Sequence, residues 1–111
     1  MQVIEHLLSG VVILEPQDAI TADTEYDLKD AVRRQLDAGR VHVVLDLQHV
    51  PHIDSCGLGR MVQAYVSAQR LGGSLKLMNV RERNRQTLAV TRLSSVLEIL
   101  QPTELPVNVE L

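Results

Sequence analysis

Between positions 49 and 56 the chain brings together two imidazoles (His49 and His52), a carboxylate (Asp54), a hydroxyl (Ser55) and a thiol (Cys56). These side chains fit three kinds of chemistry. Cys56 with His52 nearby has the makings of a nucleophile and its base, but a cysteine hydrolase also needs an orienting acid and a substrate pocket, and no third group is signalled. His49, His52, Asp54 and Cys56 are all zinc-compatible, yet their spacing matches no standard zinc pattern, so no metal is expected. Neither G-x-S-x-G nor the phosphate-loop pattern is present. The third possibility is a serine that carries a phosphate.

That possibility depends on the elements flanking Ser55. Upstream, Val41-His42-Val43-Val44-Leu45-Asp46-Leu47 is rich in β-branched residues and reads as a buried strand. Downstream, Leu58, Met61, Val62, Tyr65 and Val66 follow helical spacing in a segment running from about Gly57 to Arg70. Ser55 therefore falls where a strand turns into a helix, near backbone N–H groups that have no intrahelical partner and at the positive end of the helix dipole. The plainer use of a serine at such a place is as a helix N-cap. Asp54 fits the same role, which would leave Ser55 exposed; both assignments remain open on sequence alone.

The rest of the chain supplies a frame for this junction. Gln2 to Leu7 reads as an edge strand, Ser9-Gly10 as a turn, and Val11 to Leu14 as a strand pairing back on the first. After a loop from Glu15 to Thr21, Asp23 or Thr24 can cap a helix with Leu28, Ala31, Val32 and Leu36 on its apolar face, stopped by Gly39. Gly72-Gly73 breaks the central helix ahead of a strand at Leu75 to Met78. Arg81 to Thr91 reads as a helix lying mostly in water, its Arg81, Arg83 and Arg85 fanning around the cylinder, and Val96 to Leu100 as a last strand. In the tail from Pro102 to Leu111, the alternation of Leu105, Val107, Val109 and Leu111 suits a short strand. Helices between strands imply crossovers, and so a small single α/β domain over residues 1–111. Its sheet is mixed and mostly parallel, with four to five strands and the helices mainly on one face.

Composition narrows the function classes. The 111 residues carry a net charge of −3, no Phe or Trp and two Tyr, so neither the basic face nor the stacking platforms of a nucleic-acid binder are expected. No apolar run reaches membrane-spanning length and no signal-peptide pattern opens the chain. A single cysteine asks for no oxidising compartment, so a cytoplasmic location is the default.

At Asp54-Ser55-Cys56-Gly57-Leu58-Gly59 the chain resembles a STAS domain, the module shared by sulfate transporters and anti-sigma factor antagonists. The resemblance extends from Val11 to Leu100. It takes in the apolar strand before the motif, the Gly72-Gly73 break, Met78-Asn79-Val80, and the stretch from Thr91-Arg92-Leu93 to Glu98-Ile99. It implies a non-enzymatic, cofactor-free regulator that works by partner-switching. The unphosphorylated form binds an anti-sigma factor that is itself a serine kinase and so releases the sigma factor for transcription. Phosphorylation of Ser55 breaks the complex, and a phosphoserine phosphatase restores it. The implied partner-binding surface is Asp54, Ser55, Cys56, Gly57, Leu58, Gly59 and Met61, with Gly57 and Gly59 admitting a close partner backbone.

The chain departs from the family pattern at four places. Cys56 stands where Ser or Thr is frequent, and His52 where an apolar or aromatic residue is common. Thr21 stands where a loop aspartate often lies near the serine, a role Asp18 or Asp23 could take. Arg92 replaces a frequent glycine. Two rival readings follow. One is a STAS scaffold subunit in a stress-sensing or lipid-transport complex; the other is a small-ligand or metal-binding protein using His52, Asp54 and Cys56.

Overall fold

Val43, Val44 and Leu45 are apolar at consecutive positions, a pattern that is stable in a strand only when both of its faces are covered. In the computed structural model, which describes residues 1–101, this run lies at the centre of a five-stranded sheet. The elements are β1 (Val3–Leu8), β2 (Val11–Pro16), α1 (Glu25–Asp37), β3 (His42–Asp46), α2 (Ser55–Arg70), β4 (Ser74–Met78), α3 (Glu82–Val90), a 3-10 turn at Leu93–Ser95, and β5 (Ile99–Leu100). The strands lie side by side in chain order, β1 antiparallel to β2 and the remaining pairs parallel. Because each crossover from β2 onward steps in the same direction, right-handed connections place all three helices on one face. The expected mixed, mostly parallel sheet with one-sided helices is therefore what forms.

The main core fills the space between that face and the helices. Val12, Leu14, Val43, Leu45, Leu75 and Leu77 pack against Leu28 and Val32 of α1, Met61 and Ala64 of α2, and Leu88 of α3. A smaller cluster of Ile13, Val44, Met78 and Leu100 occupies the opposite face. The register of β3 and β4 continues beyond the strands, since Leu47 N–H donates to Met78 O at 3.0 Å.

Several local expectations change. Thr24 takes the N-cap position of α1, but its hydroxyl turns back into the loop, accepting from Thr21 N–H at 2.9 Å and donating to Ala19 O at 2.6 Å. The expected strand from Val96 shortens to Ile99–Leu100, because Val96 and Leu97 close the 3-10 turn at Leu93–Ser95, each N–H donating to Leu93 O. The third helix lies mostly in water, as its sequence suggests, but Asn84 is buried with Leu88 and donates to Val50 O at 2.8 Å, while Arg81 and Arg85 each donate to a backbone carbonyl, of Gln48 and Val80. The alternating tail from Pro102 lies outside the described residues.

Two close approaches fix the helices on the sheet. An added Cβ on Gly73 would lie 1.9 Å from Val41 O, at the entry to β4. One on Gly57 would lie 2.1 Å from Ile20 O, where the loop between β2 and α1 crosses the start of α2. Arg92, by contrast, holds φ +62°, a left-handed conformation that costs an L-residue about 1–2 kcal/mol and that explains why a glycine suits this position.

Gly57→Ala is expected to lose about 1–3 kcal/mol, because backbone atoms rather than a flexible side-chain tip must move. Gly59→Ala, with open space around it, should gain up to ~1 kcal/mol from helix propensity. Urea unfolding of the pair checks the contrast. At position 92, relief of the left-handed strain outweighs the added chain entropy, so Arg92→Gly should gain roughly 0.5–1 kcal/mol and Arg92→Val should lose stability. Equal melting temperatures for all three proteins would show that the turn carries no strain.

Candidate functional site

The site is built where two loops meet, the one preceding α1 and the one preceding α2. Ile20 is the one large apolar residue in the polar stretch from Gln17 to Thr24, and burying it pulls that loop onto the domain. There it forms a parallel bridge with Ile53: Ile20 N–H donates to His52 O at 3.0 Å and Asp54 N–H donates to Ile20 O at 3.2 Å. Asp54 then joins both loops to the helix. Its backbone is extended (φ −89°, ψ −177°), Oδ1 accepts from Gly57 N–H at 2.8 Å, and Oδ2 accepts from Ala22 N–H at 3.1 Å. Asp54 is thus the N-cap of α2, which settles the choice between Asp54 and Ser55.

These hydrogen bonds favour the ionised carboxylate and hold the Asp54 carboxyl below its ordinary range, with the Gly57 N–H as the largest contributor, the Ala22 N–H adding to it, and nearby His52 assisting. They also mean that the Gly57 N–H, one of the free donors expected to receive an anion at Ser55, is already taken by Asp54. Ser55 is the first residue of α2; it is exposed, and its hydroxyl makes no hydrogen bond among the described residues. Cys56 is exposed beside it.

Helical periodicity divides the remaining motif residues. Gly59, four positions after Ser55, shares the outer face and has nothing within 4 Å of where a Cβ would be. Leu58 and Met61, three positions apart, turn inward; Leu58 is buried and Met61 is 0% exposed. Neither can form part of a partner surface, because both are core. Gly57 is also buried, and its missing side chain makes room for Ile20 rather than for a partner. The exposed surface at the end of α2 is therefore Ser55, Cys56 and Gly59, with Asp54 at its edge. The facing loop adds Ala22, which bonds Asp54 and which sequence reasoning missed because a backbone N–H leaves no signal in the residue type, and next to it the exposed Asp23, a residue already considered as a helix cap or loop aspartate. Asp18 instead closes on its own neighbour, its Oδ1 accepting from Ala19 N–H at 2.7 Å.

The zinc-compatible side chains do not converge. Among the described residues no group of three His, Cys, Asp or Glu is placed to hold a metal ion. Asp54 is committed to backbone donors, and His49 Nε2 lies 3.7 Å from Glu15 on the helix-free face. No helix among the described residues is long and apolar enough to cross a membrane.

Comparison with known proteins matches this arrangement to relatives. The chain is 30% identical, over 84% of its length and 83% of the relative's, to a candidate anti-sigma factor antagonist of Thermotoga neapolitana. It is 36% identical over 52% of its length, and 53% of the relative's, to the anti-sigma-B factor antagonist of Bacillus subtilis. The crystal structure of a candidate anti-sigma factor antagonist from Thermotoga maritima superposes with a TM-score of 0.85 at 27% identity, covering 92% of this chain and 89% of that one. The family model described as the STAS domain matches residues 4–105, and the chain belongs to the STAS domain family.

Proposed function

We propose that this chain is an anti-sigma factor antagonist in which Ser55 is the phosphoacceptor. The observation that carries the reading is a division of labour at the start of α2: Asp54 supplies the cap, so the exposed Ser55 hydroxyl has no structural task. The names of the relatives support the same reading. The unphosphorylated surface around Ser55, Cys56, Gly59, Ala22 and Asp23 binds an anti-sigma factor with serine kinase activity, and a phosphoserine phosphatase resets the modified form. The chain acts as a kinase substrate and binding module in the cytoplasm, not as an enzyme.

Physical chemistry explains how one phosphate switches such a complex. A phosphoserine adds about −1.5 to −2 charges at neutral pH. Within this domain the added charge meets solvent, and the cap bonds of Asp54 need not open to admit it. In the complex the same dianion would be partly desolvated beside Asp54 and Asp23, and against whatever partner atoms pack on Gly59. Binding then fails while the fold persists.

Ser55→Ala and Ser55→Asp used as baits in native lysate are expected to differ: the alanine form retains an ATPase-type anti-sigma kinase, and the aspartate form binds it about a hundredfold more weakly, or ~2.7 kcal/mol. The proposal falls if both baits hold the same partner equally and Ser55 is never phosphorylated. A second expectation concerns Asp54. Because its carboxyl is held below the ordinary carboxylate range, its contribution to stability is present at neutral pH and is lost as pH falls through the folded-state pKa. Asp54→Asn should therefore be less stable than wild type at pH 7, and the two should converge in strong acid; parallel urea titrations at a series of pH values would show it.

A further inference from the structure

Helices α1 and α2 flank a groove away from the Asp54 corner. It is a cleft of about 380 Å³ whose floor includes Val32, Leu36 and Ala64. Three cations line it, Lys29 and Arg33 on α1 and Arg60 on α2, against one acid, Asp37. That balance runs opposite to the chain as a whole, which carries −3.

The cations are not equivalent. Arg60 is tied down, its Nε donating to Glu25 at 2.9 Å and its Nη1 to Gln63 at 2.6 Å. Lys29 and Arg33 form no salt bridge among the described residues and stand four apart, one turn of the same helix face. Tyr26, 62% exposed, sits with its ring 5.6 Å from both the Lys29 ammonium and the Arg60 guanidinium, and Leu71 is 56% exposed on the groove wall. An apolar floor flanked by unpaired cations at one-turn spacing complements a particular kind of object: a helix with apolar residues on one side and carboxylates one turn apart beside them.

We propose that the groove between α1 and α2 docks an acidic amphipathic helix of the partner protein. The proposal rests on the partner-binding reading above but does not require Ser55 to be modified. Arg60 stands five residues after Ser55 in α2, and Tyr26 lies in the first turn of α1, directly after the loop that carries Ala22 and Asp23. The groove thus begins about one turn along α1 and α2 from the ends that carry this loop and Ser55, close enough for one partner to reach both. In this arrangement the groove supplies affinity and the serine supplies control.

Two synthetic 14-residue peptides separate the possibilities. Both carry leucines at helical i, i+4 spacing, one with glutamate and the other with lysine at the flanking positions. Each is titrated into the isotope-labelled 111-residue protein while amide shifts are followed by NMR. The acidic peptide should shift Gln63, Ala64, Ser67 and Leu36 saturably, and the basic peptide should not. The double variant Lys29→Glu/Arg33→Glu should bind the acidic peptide at least tenfold more weakly. It disrupts no ion pair, and its thermal unfolding verifies the fold. The peptide titration is made on unmodified protein and the bait comparison needs no groove variant, so a failed phosphoswitch leaves this result untouched and a failed groove leaves the phosphoswitch standing. Equal binding of both peptides, absence of groove shifts, or the same shifts produced by inorganic pyrophosphate alone would each overturn the proposal, the last by making the groove a small-anion site.

Discussion

The carboxylate of Asp54 is the contact on which the arrangement of this domain's upper end depends. It reaches forward to Gly57 N–H and across to Ala22 N–H, joining segments 32 positions apart in sequence. With the Ile20–Ile53 bridge it makes two loops and a helix end into one rigid corner. Loop backbone that would otherwise expose unsatisfied donors is paired instead. The requirement that Gly57 lack a side chain follows directly, since the same bridge brings Ile20 O against the helix.

Asp46 offers an instructive contrast from the other end of the same connection. It is 0% exposed at the end of β3, and burial pushes its carboxyl above the ordinary range, although Asn79 and Gln48 N–H donate to it and oppose the shift. Nearby Glu15 adds to the rise. Ionised Asp46 therefore works against folding, a cost that is relieved as pH falls through its folded-state pKa, the reverse of Asp54. Two aspartates eight residues apart thus take opposite electrostatic characters. One faces backbone donors at a helix start; the other is enclosed by the sheet and a second acid.

Much of this was legible in the chain. Val41 to Leu47, Leu28-Ala31-Val32 and the Gly72-Gly73 break mark their elements because apolar period and glycine placement act locally. What was not legible depended on geometry between segments. Leu58 and Met61 belong to the same hexapeptide neighbourhood as Ser55, and reading that run as one surface overlooks the 3.6-residue period that sends them into the core. Gln35 is polar, yet it is 2% exposed because Arg40, just beyond the helix end, donates to its side chain at 3.1 Å. Ile20 carried a usable signal as a lone large apolar residue in a polar loop, but its partner, Ile53, could be found only in three dimensions.

The separation of Asp54 from Ser55 also bears on how such a domain can diversify. The groups that hold the corner together, Asp54, Gly57, Ile20 and Ile53, are engaged internally, whereas Ser55, Cys56, Gly59 and Asp23 are exposed and their side chains make no hydrogen bond or ion pair among the described residues. Substitutions in the outward set therefore cost little stability and leave the fold in place. Cys56 and Gly59 can then be replaced without disturbing the corner, so the frame can persist while the chemistry displayed at its upper end changes.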